Sequence, residues 1–142
     1  MANREEITGA KIVQHRTLAW AETDAAGHNH FSAALRWLEE AEHLLWARLG
    51  LADVTPATPR VHVDLDFRGR IYFGDPFIVT LGVARVGRTS ATFAWSATGP
   101  DDALLVEGHH VVAHAPLGGR ATPWSEHERL TLLSEVEFVA GA

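Results

Sequence analysis

HFSAALRWLEEAEHLLWARL, residues 30–49, decides the fold. Phe31, Ala34, Leu35, Leu38, Ala41, Leu45 and Leu49 recur at three- and four-residue steps, the spacing of one helix face. Trp37, Leu44 and Trp46 widen that stripe past half the circumference, so the spacing predicts a helix buried on most sides. The polar remainder is a narrow strip of Arg36, Glu39, Glu40 and His43, in which Arg36–Glu40 and Glu39–His43 are i,i+4 pairs. Gly50 is a natural helix stop.

On the N-terminal side, IVQHRTLAW (12–20) reads as a strand, followed by the turn-rich ETDAAG (22–27). On the C-terminal side, residues 51–60 form a loop, after which the period becomes two. Val61, Val63, Leu65 and Phe67 alternate with His62, Asp64 and Asp66, an apolar face against a polar one. Further strands are expected near 77–86, 89–98 and 104–115, rich in Val, Thr, Phe and Trp and joined by short Gly-containing turns. Short turns imply antiparallel neighbours. The expected fold is therefore α+β: one curved antiparallel sheet of about five strands wrapped around a long helix. One domain, 1–142, is expected, with its core at about 12–115 and a C-terminal loop and short helix over 116–142. Ser125 and Glu128 are spaced as a capping box for that helix.

Composition narrows the function. With no cysteine, a thiolate nucleophile, a disulfide framework and a Cys-ligated metal are excluded. Twelve Lys and Arg against eighteen Asp and Glu give −6, the wrong sign for a broad phosphate-backbone binder. The N-terminal residues carry no apolar run of signal-peptide length, and nothing approaches the ~20 apolar residues of a membrane span. The cytoplasm is the default compartment.

Four groups of residues offer chemistry. Asp24 precedes the helix start, where free backbone N–H groups can hold a developing oxyanion and a carboxylate can serve as base or nucleophile. Turn formation alone also accounts for an Asp there. The histidines His28, His30, His62, His109, His110 and His114 raise a metal reading. His109 and His110, adjacent on a strand, point to opposite faces, and the His62, Asp64, Asp66 row reads more simply as a polar sheet face, so no metal or cofactor is expected. Glu39 and Glu40 read as part of the helix's polar strip. Arg68, Arg70, Arg85 and Arg88 are candidates for phosphate contact.

Trp20-Ala21-Glu22-Thr23-Asp24-Ala25-Ala26-Gly27-His28, with Leu35-Arg36-Trp37-Leu38-Glu39-Glu40-Ala41-Glu42, Leu49-Gly50-Leu51, Asp66-Phe67, Tyr72-Phe73-Gly74-Asp75-Pro76 and Val86-Gly87-Arg88-Thr89-Ser90, resembles the hotdog-fold acyl-CoA thioesterases, in their 4-hydroxybenzoyl-CoA thioesterase-like branch. The resemblance covers about residues 12–115. It implies hydrolysis of an acyl-CoA or acyl-carrier-protein thioester, with Asp24 as base or nucleophile and the Phe31 backbone N–H polarising the carbonyl. Many members carry a histidine where Phe31 stands; here His30 lies one residue earlier and joins the implied catalytic set. Gly27, Arg88 and Thr89 are the implied substrate contacts. Glu22 replaces the first Asp of the family's pair, and Glu42 its usual helical Arg. A non-catalytic acyl-thioester or small-ligand binding module on the same fold is the alternative. The broad apolar stripe and the family likeness both predict a homodimer or homotetramer. The five tryptophans hint at a bulky or aromatic pocket.

Overall fold

The computed structural model describes residues 5–141; the extreme ends of the expected domain, 1–4 and 142, lie outside the described residues. Strand β1 (Lys11–Thr17) leads through a 3-10 turn (Trp20–Glu22) to helix α1 (Ala33–Arg48). After a second 3-10 turn come β2 (Arg60–Phe67), β3 (Pro76–Val86), β4 (Ser90–Thr98) and β5 (Leu104–Ala113). Two short helices, α2 (Pro116–Gly119) and α3 (Glu126–Leu133), precede β6 (Glu137–Ala140). All pair into one sheet of order β2-β5-β4-β3-β1-β6, antiparallel throughout except for β1 with β6.

The expected architecture holds, with one strand more than expected. The C-terminal segment is not only loop and helix: β6 adds a sixth strand, parallel to β1 over Lys11–Gln14. Four residues are too few for a strand period to stand out in sequence. Phe138 and Ala140 nevertheless pack against the core while Val139 faces out, so the alternation is present. The capping box of α3 forms in both directions, Glu128 N–H to Ser125 Oγ at 3.0 Å and Ser125 N–H to Glu128 Oε1 at 2.8 Å.

Helix α1 lies on the sheet's inner face. Trp37 packs on Phe77 with ring centroids 4.7 Å apart, and Trp46 on Phe93 at 5.8 Å. Leu38, Ala41 and Leu45 complete the buried stripe. The polar strip behaves differently from expectation. Glu39 and Glu40 pair across to strands, Glu39 with Arg60 and Glu40 with Arg16, rather than along the helix. Glu42 is not on that strip at all: it is buried, four residues on from Leu38 in the apolar stripe. Its Oε1 lies 2.7 Å from His110 Nε2 and 3.0 Å from Arg60 Nη2, and its Oε2 accepts from Trp46 Nε1 at 2.9 Å. Burial alone would raise the Glu42 pKa. The hydrogen bond and charge of His110, then the charge of Arg60 and the Trp46 hydrogen bond, outweigh burial and hold it below its ordinary value of 4.5.

Candidate functional site

The loop between the first 3-10 turn and α1 is a small pinned hairpin. Thr23 bridges Asn29, and His28 bridges Tyr72 at the entry to β3. Asp24 N–H donates to His28 O (2.8 Å) and Gly27 N–H to Asp24 O (3.1 Å). The tight reversal puts Gly27 at φ +85°, a region that favours glycine. Buried Asn29 ties the hairpin down: its N–H donates to Ile71 O and its Oδ1 accepts from Ile71 N–H. Glu22 is an anchor, accepting from Trp37 Nε1 (2.6 Å) and from Ala19 N–H (2.9 Å).

This scaffold fixes the Asp24 carboxylate. Oδ1 accepts from Ala26 N–H at 2.8 Å, the turn-forming contact, while Oδ2 lies 3.6 Å from His28 Nδ1. Asp24, His28 and Phe31 line a cavity of about 370 Å³ whose other wall is Phe67, Arg68 and Arg70, at and beyond the end of β2. Among the described residues, no hydrogen bond uses the Phe31 N–H. Phe31 sits two residues before the first residue of α1, whose N-cap is Ser32, so the helix starts slightly later than its apolar spacing predicts. The cavity therefore brings together a carboxylate and an unused backbone donor, the two parts an acyl-transfer site requires.

Other expected site residues fall elsewhere. The His30 ring turns back on the helix cap, with Nδ1 2.8 Å from Ser32 Oγ, and stacks on Phe31. Gly27 shapes the loop without lining the cavity. Arg88 and Thr89 sit in the β3–β4 turn, separated from the cavity's side of the sheet by the eleven residues of β3, about 35 Å of extended chain. Trp37, Trp46, Trp95 and Trp124 are core, and Trp20 is exposed against Phe73; the cavity's aromatic wall is Phe31 and Phe67. Arg70, one of the four arginines considered for phosphate contact, stands at the cavity with no ion pair among the described residues.

The profile of the thioesterase-like superfamily matches residues 18–134, most of the chain and the whole of this site. The chain belongs to the thioesterase-like superfamily. The relatives of this superfamily member include a 1,4-dihydroxy-2-naphthoyl-CoA hydrolase of Prochlorococcus marinus (strain MIT 9303), 32% identical over 92 residues. That match covers 56% of this chain but 61% of the relative, so under two thirds of the relative's length is spanned. A protein of the same description from Rippkaea orientalis is 29% identical over 121 residues, covering 78% of this chain and 87% of that one. Among solved structures, a 1,4-dihydroxy-2-naphthoyl-CoA thioesterase from Synechocystis superposes with a TM-score of 0.77 at 19% identity, over 86% of this chain and 95% of that one. At that identity the likeness speaks to the fold, and the α+β hotdog arrangement expected from the sequence is the one observed.

Proposed function

We propose that this thioesterase-like protein hydrolyses an acyl-CoA thioester, with an aromatic acyl group of the 1,4-dihydroxy-2-naphthoyl kind as its first candidate. The observation that carries the reading is the shared cavity of Asp24 and the unused Phe31 N–H. The thioester carbonyl oxygen accepts from the Phe31 N–H, which stabilises the oxyanion as the carbonyl carbon becomes tetrahedral. Asp24 Oδ2 supplies the other half. It either attacks the carbonyl carbon, giving an acyl-aspartyl anhydride that water opens, or deprotonates a water that attacks directly. Both routes expel the CoA thiolate, a good leaving group, and end in free acid and thiol. His28, 3.6 Å from Oδ2, orients the carboxylate. The relatives' named substrate and the Phe31–Phe67 wall support an aromatic acyl group. The exposed Arg70 is the group we assign to the CoA phosphates, in preference to the remote Arg88 and Thr89.

The site is built to work in a pair of subunits. The cavity opens beside β2, the sheet's edge strand, whose inner row Val61, Val63 and Phe67 is 40–62% exposed. An apolar row on an unpaired edge supports a second copy there, and with it the dimer.

The deciding experiment is thiol release from a panel of aromatic and aliphatic acyl-CoA thioesters. Continuous turnover by wild type, abolished in Asp24→Asn, is the expected result. Stoichiometric binding with no thiol release would instead favour the binding-module reading. A single turnover in ¹⁸O-water, read in both the acid and Asp24, tests the anhydride route: unlabelled acid with label in Asp24 means an anhydride opened at the Asp24 carbonyl, an outcome that direct water attack cannot give.

A further inference from the structure

A second cluster of reactive side chains lies on the opposite face of the sheet from α1. His62 and Asp64 are two apart on β2, so both project from the face that Leu65, packed on the core, does not use. Asp64 is the direct cross-strand partner of His109 on β5, in the antiparallel register that sets side chains side by side. His109 necessarily points away from buried His110, which meets Glu42 of α1. The outcome is two imidazoles and a carboxylate whose ligating atoms all lie within 4.8 Å of one another. The two rings face each other with centroids 5.4 Å apart.

Nothing else holds these groups together. Among the described residues, none of the three makes a side-chain hydrogen bond or ion pair. The surroundings are acidic: Asp64 and His109 edge a cavity of about 440 Å³ that Glu5, Asp66 and Glu107 also line. Arg68 answers part of that charge, lying 3.6 Å from Asp66 and 3.2 Å from Glu107, while Asp64 pairs with no cation among the described residues. The strands beneath run close together. A Cβ on Gly108 would come within 2.1 Å of Asp64 O, so β2 and β5 approach too closely there for any side chain. The ligand-bearing strands are thus held in fixed register while the exposed side chains remain free to turn.

We propose that His62, Asp64 and His109 form a binding site for a first-row transition-metal dication of the zinc class. Donor chemistry selects the ion. Two imidazoles and one carboxylate suit zinc, cobalt or nickel, whereas magnesium and calcium require oxygen ligands. Ligating atoms around tetrahedral zinc stand about 3.3 Å apart, given bonds of about 2.0–2.1 Å. Side-chain rotations that draw the three groups together by about an ångström or so complete the site. Three protein ligands leave a coordination position for water. The site joins the edge strand β2 to β5 and lies across the sheet from Asp24, so its role is to fasten the edge rather than to act on the thioester.

The test is calorimetric titration of tag-free, chelator-treated protein with zinc chloride, and with magnesium chloride for contrast. Wild type is expected to take up one zinc per chain saturably and to show no magnesium binding. His62→Gln, Asp64→Asn and His109→Gln should each weaken zinc binding by at least about 10-fold, the lower end of what even an outer-shell partner costs. His127→Gln, at an exposed histidine on α3, should leave it unchanged. Zinc should also raise the melting temperature of wild type and not of His109→Gln. Absence of saturable zinc uptake in wild type would overturn the proposal. So would zinc uptake that all three ligand variants retain at full strength, since the metal would then reside on other histidines.

Discussion

Replacing Asp24 by Asn keeps the Oδ1 contact to Ala26 N–H and removes only the charge at Oδ2. Asn serves turns about as well as Asp, so a merely turn-forming Asp24 predicts normal turnover. The proposed mechanism predicts a fall in kcat of at least ~100-fold with an unchanged melting temperature, read by thiol release and thermal denaturation on one preparation. His30→Ala should change kcat by no more than a few-fold, because its ring engages Ser32 and not the cavity. A loss as large as that of Asp24→Asn would return His30 to the catalytic group. Arg70→Ala should raise KM for CoA thioesters, yet spare a short thioester without the nucleotide; a larger effect from Arg88→Ala would mean that the β3–β4 turn of a second subunit reaches the ligand. Asp24 was legible as a carboxylate in the turn-rich stretch before the helix, and Phe31 entered through the family resemblance. Arg70 was one of four arginine candidates, but its place beside that loop, like that of Phe67, was not legible, because only the return of the chain through β2 brings them there.

Helix α1 was legible from its apolar spacing, but the burial of Glu42 within it was not. Glu42 follows Leu38 by four residues and precedes Leu45 by three, so the spacing itself places it in the buried stripe, where a carboxylate is not expected without partners. The partners that make its burial tolerable, His110 and Arg60, come from β5 and β2 and carry no local signal. Removing the carboxylate takes the partner from buried His110 and leaves Arg60 only Glu39, and Glu42→Ala should cost about 3–5 kcal/mol in urea denaturation. The depressed pKa sets a pH dependence. Folded Glu42 holds its proton less tightly than the unfolded chain, so the cluster's stabilisation is complete above 4.5 and disappears as pH falls through the lower folded value. Glu42→Gln should therefore lose less stability than wild type across that acid window. Parallel acid limbs for the two proteins would show that Glu42 does not drive it.

At the scale of the whole molecule, the sequence predicted self-association because α1 is apolar over more than half its surface. The structure transfers much of the argument to the sheet. The helix is well covered on its inner side, and the exposed apolar row belongs to β2. Val63→Glu places a charge in the middle of that row. Light scattering should then report a monomer at micromolar concentration where wild type is expected to run as a dimer, with turnover lost in parallel. A wild-type protein that stays monomeric and active would refute the assembly. The two borders of the sheet are unequal. The β2 border runs for eight residues, whereas the far border is the four-residue β6, laid against β1 by the chain's own C-terminal segment. A sheet with two long open borders propagates, each added copy offering a fresh template for the next. With β6 set against β1 on one border, joining two copies through β2 would bring like to like about a two-fold axis, as in the proposed dimer. Strand β6 thus shortens what the sheet offers on that side: pairing of copies there would rest on four residues of backbone, against eight at β2.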